Sequence, residues 1–526
     1  MKISSPETCG SEVISLWPPQ QLEAMLDGGL ARLKWEPPRV NAHAVAGYEL
    51  ERTSWWPGRP AQTTVLGRTE GAAACGFEDR TFQRDCMNEY RVRAVHRRFG
   101  MAGPWSFPAA LYGFQYTGYE RMVETLRRLG ERWPEVCRIV DGGAAAREPY
   151  RIWCAVLGTD TRDRPDRPGV LLVGNVHAGE IDGGEVCIGL LERLLCDWGN
   201  GEPAARRLLE RVQLRIIPFY NPAGRSVFES GFCGRGRKNL PARRVSVPVN
   251  PLLITDNWPS DRSDGIDPNR SFDVNWSDSA AAGEPGSSTY AGERPWLSPE
   301  ATAMAAMAAA FHPQISIHYH GPGGYSLMPG NWRDGSPPSQ RPLHLEIGRE
   351  YTRLSNPEFA NGGPLEVGLC GSASLQGAAH DWCYQEFYGA HFLAEGFSGQ
   401  VPGDDRIPAV AGPGAIPELV ETNLQALHWM GERVRGAGLE ISVEDVAGRP
   451  LVARIEVGGA VDPHCKPQFT DPVHGRYRRI LTPGNSYSLS VWSEGCLDVH
   501  LENIAVSAGR PTCLSIRMKP KPSLLP

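Results

Sequence analysis

The sequence predicts an α/β protein: a mixed, largely parallel sheet with helices on both faces, flanked by two small all-β sandwich domains. Three observations predict it. Between residues 116 and 435, strand-like apolar runs alternate with stretches of helical period, whereas the segments before and after contain only short alternating strands and turns. Boundaries follow at 1–113, 114–436 and 437–526.

In the first segment LARLKWEP, GYELERTSWW, QTTVLGRT, CGFEDRT and NEYRVRAVHRR read as strands between turns. Trp35 before Pro37-Pro38, then Gly47-Tyr48-Glu49-Leu50, then Tyr90 to Val95, resembles a fibronectin type III domain, which implies that Trp35 and Tyr90 are core residues. The middle segment opens with YERMVETLRRLGERW at helical spacing. It continues with the strands YRIWCAVLG and GVLLVGNV and the helix GGEVCIGLLERLLCDW, and AMAAMAAA is a later helix-forming run. After Gly436 come LEISVED, LVARIEVGG, GRYRRILTP, SYSLSVWSEG and TCLSIRMK, a second β-sandwich pattern.

Composition narrows the classes. With 526 residues, 41% hydrophobic and 22% charged, the chain is globular, and roughly three or four domains are expected at about 100–200 residues each. A net charge of -6 without a basic stripe argues against nucleic acid as a partner. The apolar stretch Val170 to Val176 is far shorter than the ~20 residues of a membrane span. The first residues lack a signal-peptide pattern, which favours the cytoplasm over export. Thirteen cysteines without a CxxC pair suit reduced, buried thiols, with Cys154, Cys187 and Cys196 inside apolar runs.

His177-Ala178-Gly179-Glu180 follows the strand GVLLVGNV and precedes a helix, the place where open α/β sheets gather ligand-binding side chains. A second strand, in QISIHYHGPGG, ends among histidines. His318 and His320 are two residues apart and share a face, so strand periodicity cannot separate them. Two histidines and a glutamate make the open three-ligand set of a catalytic zinc.

Here the sequence resembles the zinc carboxypeptidase family, whose HxxE motif is followed far along the chain by a histidine ending a strand of the type ISIH. That resemblance implies one zinc per chain, held by His177, Glu180 and His318. It extends through Asn221-Pro222, the Arg237-Lys238 pair, Asp267-Pro268-Asn269-Arg270, Asp381-Trp382-Cys383-Tyr384 and the strand AHFLAE ending at Glu395. It implies that Glu395 is the general base and later the acid, that Arg237 stabilises an oxyanion, and that Asn269 and Arg270 hold a substrate's terminal carboxylate. Asp267 would accept the second N–H of His177. Peptide or protein C-termini are the implied substrates. His380, just before Asp381, would contribute a polar pocket for the last side chain, one that titrates near neutral pH.

Some features depart from the pattern. Gly179 stands where pancreatic-type enzymes often carry an arginine, and no tyrosine precedes Asp381 in GLCGSASLQGAAH. The stretch 240–264, rich in Pro and Arg, is longer than usual, as a loop over the site would be. The C-terminal segment resembles the transthyretin-like domain of regulatory carboxypeptidases, which implies a structural role. Two other readings are a zinc amidohydrolase or deacylase of related fold and a catalytically inactive zinc-binding adhesion module.

Overall fold

The computed structural model describes residues 16–522, apart from 28–29, 56–60, 84–85, 113–115, 230–236, 240–264, 277–284, 286, 288, 322–324, 333, 357–366, 370–375 and 396–414. The long stretch 240–264 and much of GLCGSASLQGAAH therefore lie outside the described residues. The chain forms two compact units, one built on Met1–Phe114 and the other on Gln115–Glu229 and Asp256–Pro526.

In the first unit β1 (Gln20–Asp27), β2 (Leu30–Glu36) and β5 (Gly76–Asp79) form one antiparallel sheet. A second sheet contains β3 (Val45–Trp55), β4 (Gln62–Glu70), β6 (Met87–His96), β7 (Ala102–Trp105) and β8 (Ala109–Tyr112). Their inward residues form one apolar core that includes Trp35, Tyr48, Leu50, Tyr90 and Val92. Trp35 meets Tyr48 edge to face at 5.3 Å, and the Tyr90 hydroxyl donates to Asp79 at 2.9 Å, so its one polar atom is satisfied inside the core.

The second unit is organised by an eight-stranded sheet in the order β15-β14-β16-β13-β11-β12-β10-β9. Its members are β9 (Cys137–Ala144), β10 (Arg151–Leu157), β11 (Gly169–Val173), β12 (Gln213–Ile217), β13 (Ile315–His320), β14 (Tyr325–Met328), β15 (Val367–Leu369) and β16 (Ala390–Glu395). The central strands β12, β11, β13 and β16 run parallel; β9 and β10 pair antiparallel with their neighbours, and β14 pairs antiparallel with β16 and parallel with β15. Every residue of β11 is buried because both faces are covered. Val170 and Leu172 face a core shared with α1 (Tyr119–Arg132), α2 (Asp182–Gly199) and α3 (Pro203–Arg211). Leu171 and Val173 face the opposite core.

That opposite core receives α5 (Pro299–Ala309), which contains the alanine run, after the short helix α4 (Pro222–Glu229). The first core is closed by α6 (Arg341–Ser355) and, beyond α7 (Ala379–Phe387), by α8 (Ile416–Arg435). Packing is close enough to require glycine. A Cβ on Gly183, in the first turn of α2, would lie 2.4 Å from the Cβ of Tyr319 on β13.

Within the same unit the C-terminal strands form two small sheets. The first holds β17 (Gly438–Asp445), β20 (Arg476–Ile480) and β23 (Pro511–Met518); the second holds β18 (Arg454–Gly458), β19 (Gln468–Phe469), β21 (Ser486–Trp492) and β22 (Val499–Ala505). Leu439, Ile441, Val457, Leu489 and Ile516 belong to their common core. Among the described residues no helix is long and apolar enough to cross a membrane. Cys154 and Cys187 are buried, but Cys196 is exposed, because the helical period carries it to the outer side of α2.

Candidate metal centre

The site forms where the central parallel strands end. Beyond β11 the chain turns sharply at Asn175, whose φ of 52° lies in the left-handed region that asparagine tolerates. Its side-chain amide donates to the carbonyls of His177 at 2.8 Å and Ala178 at 3.3 Å, tying the HxxE loop into a knot. Asn221 steadies the neighbouring wall: its Oδ1 accepts Gly224 N–H, and its amide donates to the carbonyls of Arg237 and Lys238.

This scaffold brings His177, Glu180 and His320 together, all within 4.8 Å by their donor atoms. Glu180 Oε1 is 2.8 Å from His177 Nδ1, Glu180 Oε2 is 2.8 Å from His320 Nδ1, and the two Nδ1 atoms are 3.0 Å apart. Ligands at about 2.0–2.1 Å in a tetrahedral zinc site are separated by about 3.3 Å, so this set needs only a slight expansion to hold the ion. Burial pulls His320 down to about 4 and keeps it neutral, the form that ligates a metal. His177 moves the other way: burial and the Arg237 charge oppose its protonation, but the carboxylates of Glu180 and Asp267 outweigh them. A metal on Nδ1 would reverse that rise.

His318, the histidine first expected as third ligand, is elsewhere. It lies one strand repeat back from the end of β13, where its Nε2 meets Ser316 Oγ at 3.0 Å and its Nδ1 is buried. His320 is the histidine that joins the donor cluster, because the strand runs two residues further, to its carboxyl end, where parallel strands open onto the site. Glu395 is its direct neighbour: in the β13–β16 register His320 pairs with Glu395. Burial and the nearby charge of Glu180 raise Glu395 to about 8.

Behind His177, Asp267 is fully buried and 3.3 Å from Nε2, so it can accept that N–H and leave Nδ1 free for a metal. Arg237 donates to Asp267 through Nε at 3.2 Å and Nη2 at 2.9 Å, and Nη2 is also 2.9 Å from His177 Nε2. Against the cost of burial, its charge thus helps hold Asp267 well below the usual carboxylate range. The Arg237 side chain as a whole remains 24% exposed.

Asn269 lies under His320: its Nδ2 is 3.3 Å from His320 Nε2, and its Oδ1 accepts the N–H of Ala379 at 2.9 Å. Arg270 is buried, with Nη1 donating to the Asn269 carbonyl at 2.7 Å, and its charge reaches both Glu395 and His380. His380 is 1% exposed, and neither ring nitrogen has a hydrogen-bond partner among the described residues. Burial lowers its pKa, so it stays neutral rather than titrating near pH 7 as the sequence suggested. Sequence reasoning left His320 as the undecided competitor of His318 and missed Asn175. The signal for the latter was an asparagine just before the HxxE motif, where a left-handed turn suits that residue type.

The family model for zinc carboxypeptidases matches residues 122–398, more than half of the chain. The chain belongs to the zinc carboxypeptidase family. Curated relatives of this family member include carboxypeptidase Z of Homo sapiens, 30% identical over 131 residues, which is 24% of this chain and 19% of the relative. Carboxypeptidase D of Mus musculus is 25% identical over 385 residues, 68% of this chain and 24% of the relative. The chain thus spans about a fifth to a quarter of the length of these relatives. Among solved structures, a carboxypeptidase A from Helicoverpa armigera is 19% identical with a TM-score of 0.45, covering 60% of this chain and 73% of its own. A metallo-carboxypeptidase from Pseudomonas aeruginosa is 18% identical with a TM-score of 0.39, covering 79% and 89%.

Proposed function

We propose that this protein is a zinc metallocarboxypeptidase that releases C-terminal residues from peptides or proteins, with one zinc per chain at His177, Glu180 and His320. The observation that carries the reading is the convergence of these three donors beside Glu395, within a fold that belongs to the family. Bound at this site, zinc would lower the pKa of a water molecule and polarise the scissile carbonyl.

The protein's own groups do the rest. Glu395, raised to about 8 before a cation offsets the Glu180 charge, takes a proton from the attacking water and returns it to the leaving amine. Asp267 orients His177 by accepting its N–H. Arg270 supplies positive charge near Glu395, where a substrate's terminal carboxylate would dock, and Asn269 steadies His320 next to it. Arg237 is committed mainly to Asp267, and its remaining exposure lets it face the developing oxyanion. The neutral His380 favours an uncharged polar terminal side chain over an acidic one.

The N-terminal sheets fit a fibronectin type III-like domain, on the strength of Trp35 and Tyr90 in their common core. The C-terminal pair fits a transthyretin-like domain. The boundaries 1–113, 114–436 and 437–526 and a cytoplasmic location belong to the same proposal.

Mass spectrometry of a peptide library, with and without chelator and with free or amidated C-termini, tests the activity. Chelator-sensitive loss of single residues from free C-termini alone supports it. Cleavage of N-acyl amino acids without exopeptidase action would favour a deacylase instead, and stoichiometric zinc with no hydrolysis would favour a binding module.

A further inference from the structure

Helix α7 carries His380 in its first turn, and its two ends are held by different parts of the chain. At the N-terminal end the catalytic sheet's own connections hold it. Ala379 N–H donates to Asn269 Oδ1, Asp381 accepts Gly330 N–H at 3.0 Å, and Gly377 exchanges backbone hydrogen bonds with Phe272 and Val274.

The C-terminal end is held by the C-terminal β-domain. The last carbonyls of a helix have no partner within it. Here Lys466 N–H donates to the carbonyl of Gln385 at 2.8 Å, and the side chain of Gln468 donates to that of Glu386 at 2.8 Å. Cys465 Sγ reaches the Tyr384 carbonyl at 3.2 Å, and Lys466 pairs with Glu386. Asp462, 3% exposed, is the centre of this grip. Its Oδ2 accepts the Tyr384 hydroxyl at 2.7 Å and Ser339 N–H at 2.7 Å, and its Oδ1 accepts His464 N–H at 3.0 Å. The Tyr388 hydroxyl accepts Asp462 N–H at 3.3 Å, while the Arg479 guanidinium lies 3.7 Å over the Tyr388 ring. His464 stacks on Trp332 at 4.7 Å, next to the segment that binds Asp381.

We propose that the C-terminal β-domain is a working part of the substrate pocket: residues 462–468 cap helix α7, with Asp462 and Tyr384 as positioning residues that set His380 and, through Ala379 and Asn269, His320. The proposal rests on the reading of this site as a peptide pocket. It assigns the domain a role in selectivity, where a purely supporting domain would affect only stability.

The test uses full-length Asp462→Ala, Tyr384→Phe and Asp462→Asn proteins. The amide introduced by Asp462→Asn can keep the Tyr384 and Ser339 bonds through its one oxygen, and Tyr384→Phe removes only a hydroxyl. Amide hydrogen exchange over 376–387 and kcat and KM on peptides differing in their last residue are measured at matched zinc content. A hydrogen bond to a charged group, once lost, shifts such equilibria by about tenfold or more. Asp462→Ala and Tyr384→Phe should speed exchange in 376–387 by about that factor. They should also raise KM by about tenfold with kcat within about twofold, and change the ranking of last residues. Asp462→Asn should stay within about threefold of the parent. Unchanged exchange in 376–387 would overturn the proposal, as would an equal loss of kcat/KM for every last residue. If the parent protein releases no residue, the reading of the site fails, and the exchange data alone decide the cap.

Discussion

Replacing His320 with alanine tests the assignment of the third ligand against the alternative two residues away. His320 Nδ1 lies 2.8 Å from Glu180 and 3.0 Å from His177, so its removal leaves a two-donor site. Structural zinc sites of four ligands bind with about 10–16 kcal/mol, or about 2.5–4 kcal/mol per ligand, so losing one weakens affinity by about 10²–10³-fold. His318 points its Nε2 at Ser316, so His318→Ala empties a core position without removing a donor. It should cost stability while zinc affinity stays within about tenfold of the parent, below the about 10–100-fold loss seen for groups that hold a ligand in place, because its bond is to Ser316 and not to a ligand. Competition with a chromophoric chelator, read beside a thermal melt, separates the two effects. Loss of zinc in His318→Ala together with retention in His320→Ala would refute the reasoning.

Other expectations follow from the same geometry. Burial depresses His391 to about 3 against about 6.5 unfolded, so between those values the unfolded chain binds the extra proton. The His391 share of stability should therefore be constant above pH 6.5 and fall as pH drops towards 3, by on the order of 5 kcal/mol, and the difference between the parent and His391→Leu in urea melts should follow that curve. Asn175→Ala loses the hydrogen bonds that tie the HxxE loop and leaves a residue with a Cβ at φ 52°. Zinc affinity should fall about 10–100-fold, with Asn175→Gly losing less because it relieves the strain alone. Gly183→Ala forces a Cβ to 2.4 Å from that of Tyr319, and chemical denaturation should show a loss of about 1–3 kcal/mol.

Much of the architecture was legible because apolar patterning and turn residues agree locally. GVLLV reads as a strand covered on both sides, and it is β11; YERMVETLRRLGER reads as an amphipathic helix, and it is α1. HxxE was legible for the same reason, as a polar motif at a strand's carboxyl end. The second histidine was not. Period two places His318 and His320 on one face, and only the register of β13 against Glu395 on β16 shows which one reaches the open end. The neutral state of His380 was not legible, since burial beside Arg270 is a tertiary effect. The grip of Asp462 on Tyr384 joins residues that no local pattern connects, so it emerged only from the folded chain.

The central claim is that Glu395, beside a zinc held by His177, Glu180 and His320, moves the proton in hydrolysis of a C-terminal peptide bond. The most direct measurement compares Glu395→Gln with the parent for zinc content and for kcat on a peptide with a free C-terminus. The account predicts full zinc occupancy with kcat reduced by at least the ~10²–10⁴-fold of general acid–base catalysis. Turnover close to that of the parent at full zinc occupancy would contradict it.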